Sequence, residues 1–94
     1  VNLRSENMTE ETLLEFPCEF PIKAMGKARD DLDKIVHEII CQFAPETPFA
    51  NVKINQSKKG NYLSITTTIT ATSKEQLDKI YNALTSSEYI SMAL

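Results

Sequence analysis

The hydrophobic pattern of this chain switches repeatedly between a period of two and a period near 3.6, and each switch marks an element. The longest alternating run is Tyr62 to Ala71. Leu63, Ile65, Thr67, Ile69 and Ala71 share one face of a strand, because successive side chains point to opposite sides. Tyr62, Ser64, Thr66, Thr68 and Thr70 share the other, a hydroxyl-rich surface without a carboxylate. A shorter alternating run, Phe20 to Met25, predicts a first strand with Phe20, Ile22 and Ala24 on one face and Pro21, Lys23 and Met25 on the other. Pro21 is expected at its start, where a missing N–H is tolerated, and Gly26 at its end, in a tight turn into a helix.

From Lys27 to Phe43 the period becomes helical. Ala28, Leu32, Ile35, Val36, Ile39, Ile40 and Phe43 recur at spacings of three and four and predict a helix with one apolar stripe. Its solvent side carries Arg29, Asp30, Asp31, Asp33, Lys34 and Glu38, with Asp30 and Lys34 an i,i+4 pair. Pro45 stops the helix. Alternation returns from Ala50 to Asn55, a second strand with Val52 and Ile54 inward and Asn51, Lys53 and Asn55 outward. The turn Ser57-Lys58-Lys59-Gly60-Asn61 then makes a hairpin with the long run, Gly60 and Asn61 being residues that tolerate positive φ. Thr72-Ser73-Lys74-Glu75 predicts a capping box, with Thr72 as cap and Glu75 three residues on. Leu77, Ile80, Tyr81 and Leu84 stripe the helix that follows, and Ser86-Ser87 end it. Tyr89 to Leu94 predicts a last strand with Ile90, Met92 and Leu94 inward.

The predicted order is β-α-β-β-α-β. It implies an α+β fold of the ferredoxin-like kind, a two-layer sandwich of a four-stranded antiparallel sheet with two helices on one face. Right-handed crossovers put the first and third strands in the middle and the second and fourth at the edges. Residues 1–12 lack a periodic apolar face and are expected to form a flexible tail, with Thr9 to Leu14 able to add one helical turn held by Leu13, Leu14 and Phe16. Residues 13–94 form the single domain that 94 residues allow.

Composition narrows the function classes. A net charge of −3 argues against a nucleic-acid binder, which usually carries a concentrated basic stripe, and leaves a local basic patch to the placement of the lysines. Two cysteines, Cys18 and Cys41, are too few for a disulfide scaffold or a zinc cluster and are expected as reduced thiols in a cytoplasmic protein. No apolar run approaches the length that spans a bilayer, so no membrane role is expected. His37 and Cys41 lie four apart on the first helix, a spacing that could hold two metal ligands, but no third ligand accompanies them. They are expected as a partly buried histidine and an inert thiol. No Ser/His/Asp grouping is supported, so no catalytic residue, metal or cofactor is expected, and the chain is read as binding without catalysis.

Leu13-Leu14-Glu15-Phe16-Pro17, then Phe20, Lys23, Met25-Gly26, Ala44-Pro45 and above all Ser57-Lys58-Lys59-Gly60-Asn61-Tyr62 before a Ser/Thr/Ile strand resemble the YbeD-like family of small bacterial proteins. The resemblance covers roughly residues 13–94, and the Lys-Gly-Asn-Tyr turn is its most specific part. It implies a cytosolic ferredoxin-like domain similar to ACT-type regulatory modules that bind small ligands. It brings no catalytic residues.

Two candidate sites follow. ACT-like modules bind ligands near the turn from the first strand to the first helix, where Met25, Gly26 and Lys27 stand, and main-chain N–H groups there could hold a carboxylate. The outward sheet face, with Lys23, Lys53, Tyr62, Ser64, Thr66, Thr68 and Thr70, is the candidate partner surface, suited to a protein partner or to a second copy in a homodimer. RNA-recognition motifs share this topology, and Lys59-Gly60 matches the start of their third-strand signature. Here Asn61 and Leu63 stand where stacking aromatics belong, which disfavours RNA binding by the roughly 1–3 kcal/mol that each stacked base contributes.

Overall fold

The computed structural model describes residues 15–94. Its elements are strand β1 (Cys18–Lys27), helix α1 (Leu32–Cys41), a 3-10 turn (Phe49–Asn51), strand β2 (Val52–Gln56), strand β3 (Tyr62–Ala71), helix α2 (Lys74–Thr85) and strand β4 (Met92–Ala93). The sheet order is β2-β3-β1-β4, every pair antiparallel, with β1 and β3 central as the crossover rule requires. This is the ferredoxin-like sandwich. The flexible tail and the helical turn expected over residues 9–14 lie outside the described residues.

The core fills the space between the helices and one face of the sheet. Ile22 and Ala24 of β1 and Ile65, Ile69 and Ala71 of β3 meet Leu32, Val36 and Ile40 of α1 and Leu77, Ile80 and Leu84 of α2, all buried. The α1 residues are four apart and those of α2 three and four apart, which is the stripe that a 3.6-residue period places against a sheet. Phe16 and Phe20 pack against the edge of this cluster.

Several expectations are corrected. β1 does not end at Gly26. The strand continues through Lys27, with Gly26 opposite Leu63 and Lys27 opposite Tyr62, and Ala28 N–H still donates to the Asn61 carbonyl at 2.9 Å. With the chain held in the ladder that far, α1 begins only at Leu32, five residues after Lys27, where the helical period suggested its start. Ala28 is exposed ahead of it. Pro21 is the fourth residue of β1 and not the first. The second helix is capped by Ser73 and not Thr72: Ser73 Oγ accepts from Gln76 N–H at 3.0 Å. Gln76 Oε1 in turn accepts from Thr72 N–H at 2.7 Å, so the reciprocal bond reaches one residue beyond the cap.

The edges depart furthest from the pattern. Ile54 shares the inward face with Ile65, its partner across the ladder, yet is 49% exposed. Only the two central strands lie fully beneath the helices. In β4 the inward set is inverted: Ile90 is buried, but Met92 and Leu94 are 47% and 60% exposed. Met92 pairs with Met25, an outward residue, while Ala93 pairs with inward Ala24. The chain reaches the sheet through a bend, with Ile90 N–H donating to the Ser87 carbonyl, so alternation does not carry from Ile90 into the strand.

Candidate functional site

The face of the sheet opposite the helices is built row by row from the register. Glu19 stands beside Thr70, Pro21 beside Thr68, Lys23 beside Thr66, Met25 beside Ser64 and Lys27 beside Tyr62. On the other side of β3, Lys53 flanks Thr66 and Asn55 flanks Ser64. Met92 extends the Met25 row. Leu94 extends the Lys23 row, since the two residues exchange main-chain hydrogen bonds of 3.0 and 2.7 Å. The result is a Leu94–Lys23–Thr66–Lys53 row running across all four strands. Its two ammonium groups stem from positions two strand spacings apart, about 10 Å.

All the outward residues of the expected partner surface, Lys23, Lys53, Tyr62, Ser64, Thr66, Thr68 and Thr70, are thus brought onto one face. The surface is mixed: three lysines, Lys23, Lys27 and Lys53, stand among hydroxyls and the apolar side chains of Tyr62, Met92 and Leu94. Tyr62 is the one aromatic that the described strands place there. In the middle, the hydroxyl of Ser64 is shielded from solvent and makes no hydrogen bond among the described residues. An unpaired shielded hydroxyl costs roughly 1–3 kcal/mol, so this position favours a contact that supplies a partner.

The three residues of the expected ligand turn are split. Met25 and Lys27 lie on the open face, but Gly26 points toward the helices and is buried. It is not in a turn, and its φ is not positive. The turn proper is Ala28 to Asp31, where the Arg29 side chain hydrogen-bonds Asp31 and stacks 4.4 Å above the Tyr89 ring. Asp31 holds the Arg29 guanidinium above its ordinary pKa, and Arg29 holds the Asp31 carboxyl below its own. The obvious cation of this turn is therefore already engaged. The Lys58-Lys59-Gly60-Asn61 turn is conformational in the way its residues suggest. Gly60 has φ 76° and donates to the Ser57 carbonyl. The Asn61 carbonyl extends the β1 ladder.

His37 and Cys41 serve the loop after α1. The ring of His37 lies with Nε2 2.8 Å from the Thr47 carbonyl, 3.3 Å from the Cys41 sulfur and edge-on to Phe49. A carbonyl only accepts, so Nε2 carries the proton and donates. Among the described residues no three His, Cys, Asp or Glu side chains gather as metal ligands, and no helix is long and apolar enough to cross a membrane. That loop forms one wall of a cleft of about 390 Å³, with Phe43, Pro45 and Pro48 facing Thr70 and Gln76. The sequence reading missed it. Its one local signal is the pair of prolines around Glu46-Thr47, which bar both helix and ladder there.

The model of a family described as protein of unknown function, DUF493, matches residues 11–94. The chain is 44% identical over 87 residues to a UPF0250 protein of Nitrosomonas europaea, covering 93% of this chain and 100% of that protein. It is 45% identical over 85 residues to a UPF0250 protein of Bordetella pertussis, covering 90% and 93%. A UPF0250 protein of Neisseria gonorrhoeae is 38% identical over 90 residues, covering 96% and 99%. Among solved structures, a protein from H. pylori superposes with a TM-score of 0.68 at 15% identity, covering 97% of this chain and 91% of that one. The ACT domain of a GTP pyrophosphokinase from Chlorobium tepidum superposes with a TM-score of 0.60 at 13% identity, covering 81% and 84%. At such identities these two likenesses concern the fold.

Proposed function

This chain belongs to the DUF493 family, the UPF0250 proteins that the YbeD-like resemblance anticipates, and we propose that it is a small ACT-like regulatory or adaptor domain that binds a protein partner through its open sheet face without catalysing a reaction. The observation that carries this reading is the Leu94–Lys23–Thr66–Lys53 row. It sets two exposed cations and an exposed apolar end on the open sheet face beside the unpaired Ser64 hydroxyl. An open sheet face of this make-up suits a macromolecular surface better than a small ligand, which needs a concave site to lose most of its water.

Charge chooses the partner. A two-fold dimer through this face would set the lysine row of one copy against that of the other, which costs affinity unless the rows are offset. An acidic protein surface complements the row and gains in association rate. The two free cysteines, Cys18 and Cys41, suit the reducing cytoplasm, where we place the protein.

A photo-crosslinking residue at Thr66, expressed in the full chain in bacterial cells, tests the proposal. The expected product is a crosslink to a protein with an acidic surface, lost when Lys23→Glu and Lys53→Glu are combined. A crosslink only to a second copy, a crosslink to RNA, or a protein crosslink indifferent to both charge reversals would each overturn it.

A further inference from the structure

β3 is ten residues long and β2 five, so pairing between them stops at Val52 opposite Thr67 and, among the described residues, leaves the end of β3 without a strand on that side. The main-chain direction along β3 can be read from two bonds. The Asn61 carbonyl faces β1, where Ala28 N–H donates to it, and the Tyr62 carbonyl faces β2, where Ser57 N–H donates to it, both at 2.9 Å. Even-numbered residues of β3 therefore direct both N–H and C=O toward β2. The Thr68 carbonyl is met there by the Asn51 side chain, whose Nδ2 donates at 2.9 Å and stands in for the next strand residue. Thr70, two residues on, directs its N–H and C=O the same way. It is exposed, and among the described residues no loop or side chain bonds those groups.

The position opposite Thr70 is open because Pro48 and the 3-10 turn that follows carry the chain out of the ladder. What remains there is the cleft between the Pro45–Pro48 loop and Thr70. The far side of the sheet makes an instructive contrast. β4 is only two residues long, so the start of β1 is also uncovered. Odd-numbered residues of β1 face β4, as the paired bonds of Lys23 with Leu94 establish. Pro21 is one of them, and it has no N–H to offer. That open edge is interrupted by a proline, the usual protection against unwanted pairing, with only Glu19 facing the same way before it. The other keeps, among the described residues, an unbonded donor and an unbonded acceptor beside a walled cleft.

We propose that the Thr70 edge is a second binding site, in which an extended basic segment of a partner protein adds as a short strand and exchanges two main-chain hydrogen bonds with Thr70. Strand addition takes its affinity from such main-chain pairs and its specificity from the pockets beside them. The sign of the charge follows from the surroundings. Glu46 lines the cleft, Glu19 stands beside Thr70 on β1, and among the described residues no lysine or arginine lines the cleft. This end of the sheet is acidic where the Lys23–Lys53 end is basic. The site does not depend on the open face as a partner surface, and the two can fail separately.

Selection of short displayed random peptides on the full chain, with counter-selection on Thr70→Pro, tests it. Proline there removes the outward N–H and leaves the β1 ladder intact, because Thr70 directs no main-chain group toward β1. Enriched peptides are expected to carry lysine or arginine, to slow amide exchange at Thr70, and to lose about tenfold or more in affinity to Thr70→Pro. Should that variant fail to fold, Glu46→Lys provides the second arm: it should reject the basic peptides and select acidic ones. No enrichment on the wild-type chain would overturn the proposal. So would peptides that leave Thr70 exchange unchanged while shifting Lys53 and Thr66, or that bind Glu46→Lys undiminished. Concentration-dependent protection of Thr70 without peptide would assign the edge to a second copy instead.

Discussion

The carbonyl oxygen of Tyr89 occupies the place where a side chain on Gly26 would begin: a Cβ built on Gly26 would lie 2.1 Å from it. The bend that brings the chain back from α2 into β4 thus rests directly on the backbone of β1, and the glycine is required by close approach and not by an unusual φ. Leu32 Cδ2, at 3.4 Å from the same point, closes the other side.

Gly26→Ala is therefore expected to destabilise the fold by about 3 kcal/mol, the upper range for forcing atoms into a packed site. Gly60→Ala, whose difficulty is a φ of 76° and whose near neighbour is the movable end of Gln56, should cost only about 1 kcal/mol. Urea unfolding of both variants checks the order. Equal losses would mean that the Tyr89 bend yields to a methyl group.

Thr67 is fully buried on the inward face of β3, and its hydroxyl makes no hydrogen bond among the described residues. Valine keeps the shape and removes the unpaired group. Thr67→Val is expected to stabilise the protein by about 1 kcal/mol, whereas Thr67→Ser, which keeps the hydroxyl and deletes the methyl, should destabilise it by about 1 kcal/mol. A denaturation midpoint that falls for the valine variant would show that the hydroxyl has a partner in solution.

The Arg29–Asp31 pair supplies a pH signature. The hydrogen bond from Arg29 is the first cause of the lowered Asp31 pKa, with its positive charge adding to it. The folded chain therefore holds the Asp31 proton less tightly than the unfolded one. The resulting stabilisation is complete above the unfolded carboxylate range, near about pH 4, and is lost as the pH falls through the lower folded value. Both groups are exposed, so the contribution is small and screened by salt. An NMR titration of the Asp31 carboxyl should give a midpoint below the ordinary aspartate value, and Arg29→Ala should move it upward. An unmoved midpoint would rule out the pair in solution.

The sheet face was legible because a strand's two-residue period assigns sides without knowledge of neighbours. Lys23, Lys53 and the hydroxyls of Ser64, Thr66, Thr68 and Thr70 fell together once β1, β2 and β3 were aligned. The cap of α2 was misplaced by one residue because Thr72 and Ser73 are equally suited to it, and only the geometry of entry from β3 selects Ser73. The cleft beside Thr70 was not legible, since it arises from the difference in length between two strands.

By itself the sequence determined the order of elements, the inward set of β3, the stripes of both helices and the family, because these depend on periodicity and local chemistry. Tertiary structure decided where elements stop and what their edges face. Gly26 stays in the ladder because Leu63 lies opposite it and Tyr89 lies over it. Ile54 is exposed because β2 packs on the core at Val52 and not as far along as Ile54, and Met92 and Leu94 face outward because a bend resets the phase after Ile90. Among the described residues Thr70 has no main-chain partner on that side because pairing ends with the Asn51 side chain at Thr68, two residues earlier. Each of these is set by contact between residues distant in sequence, and no local period encodes it.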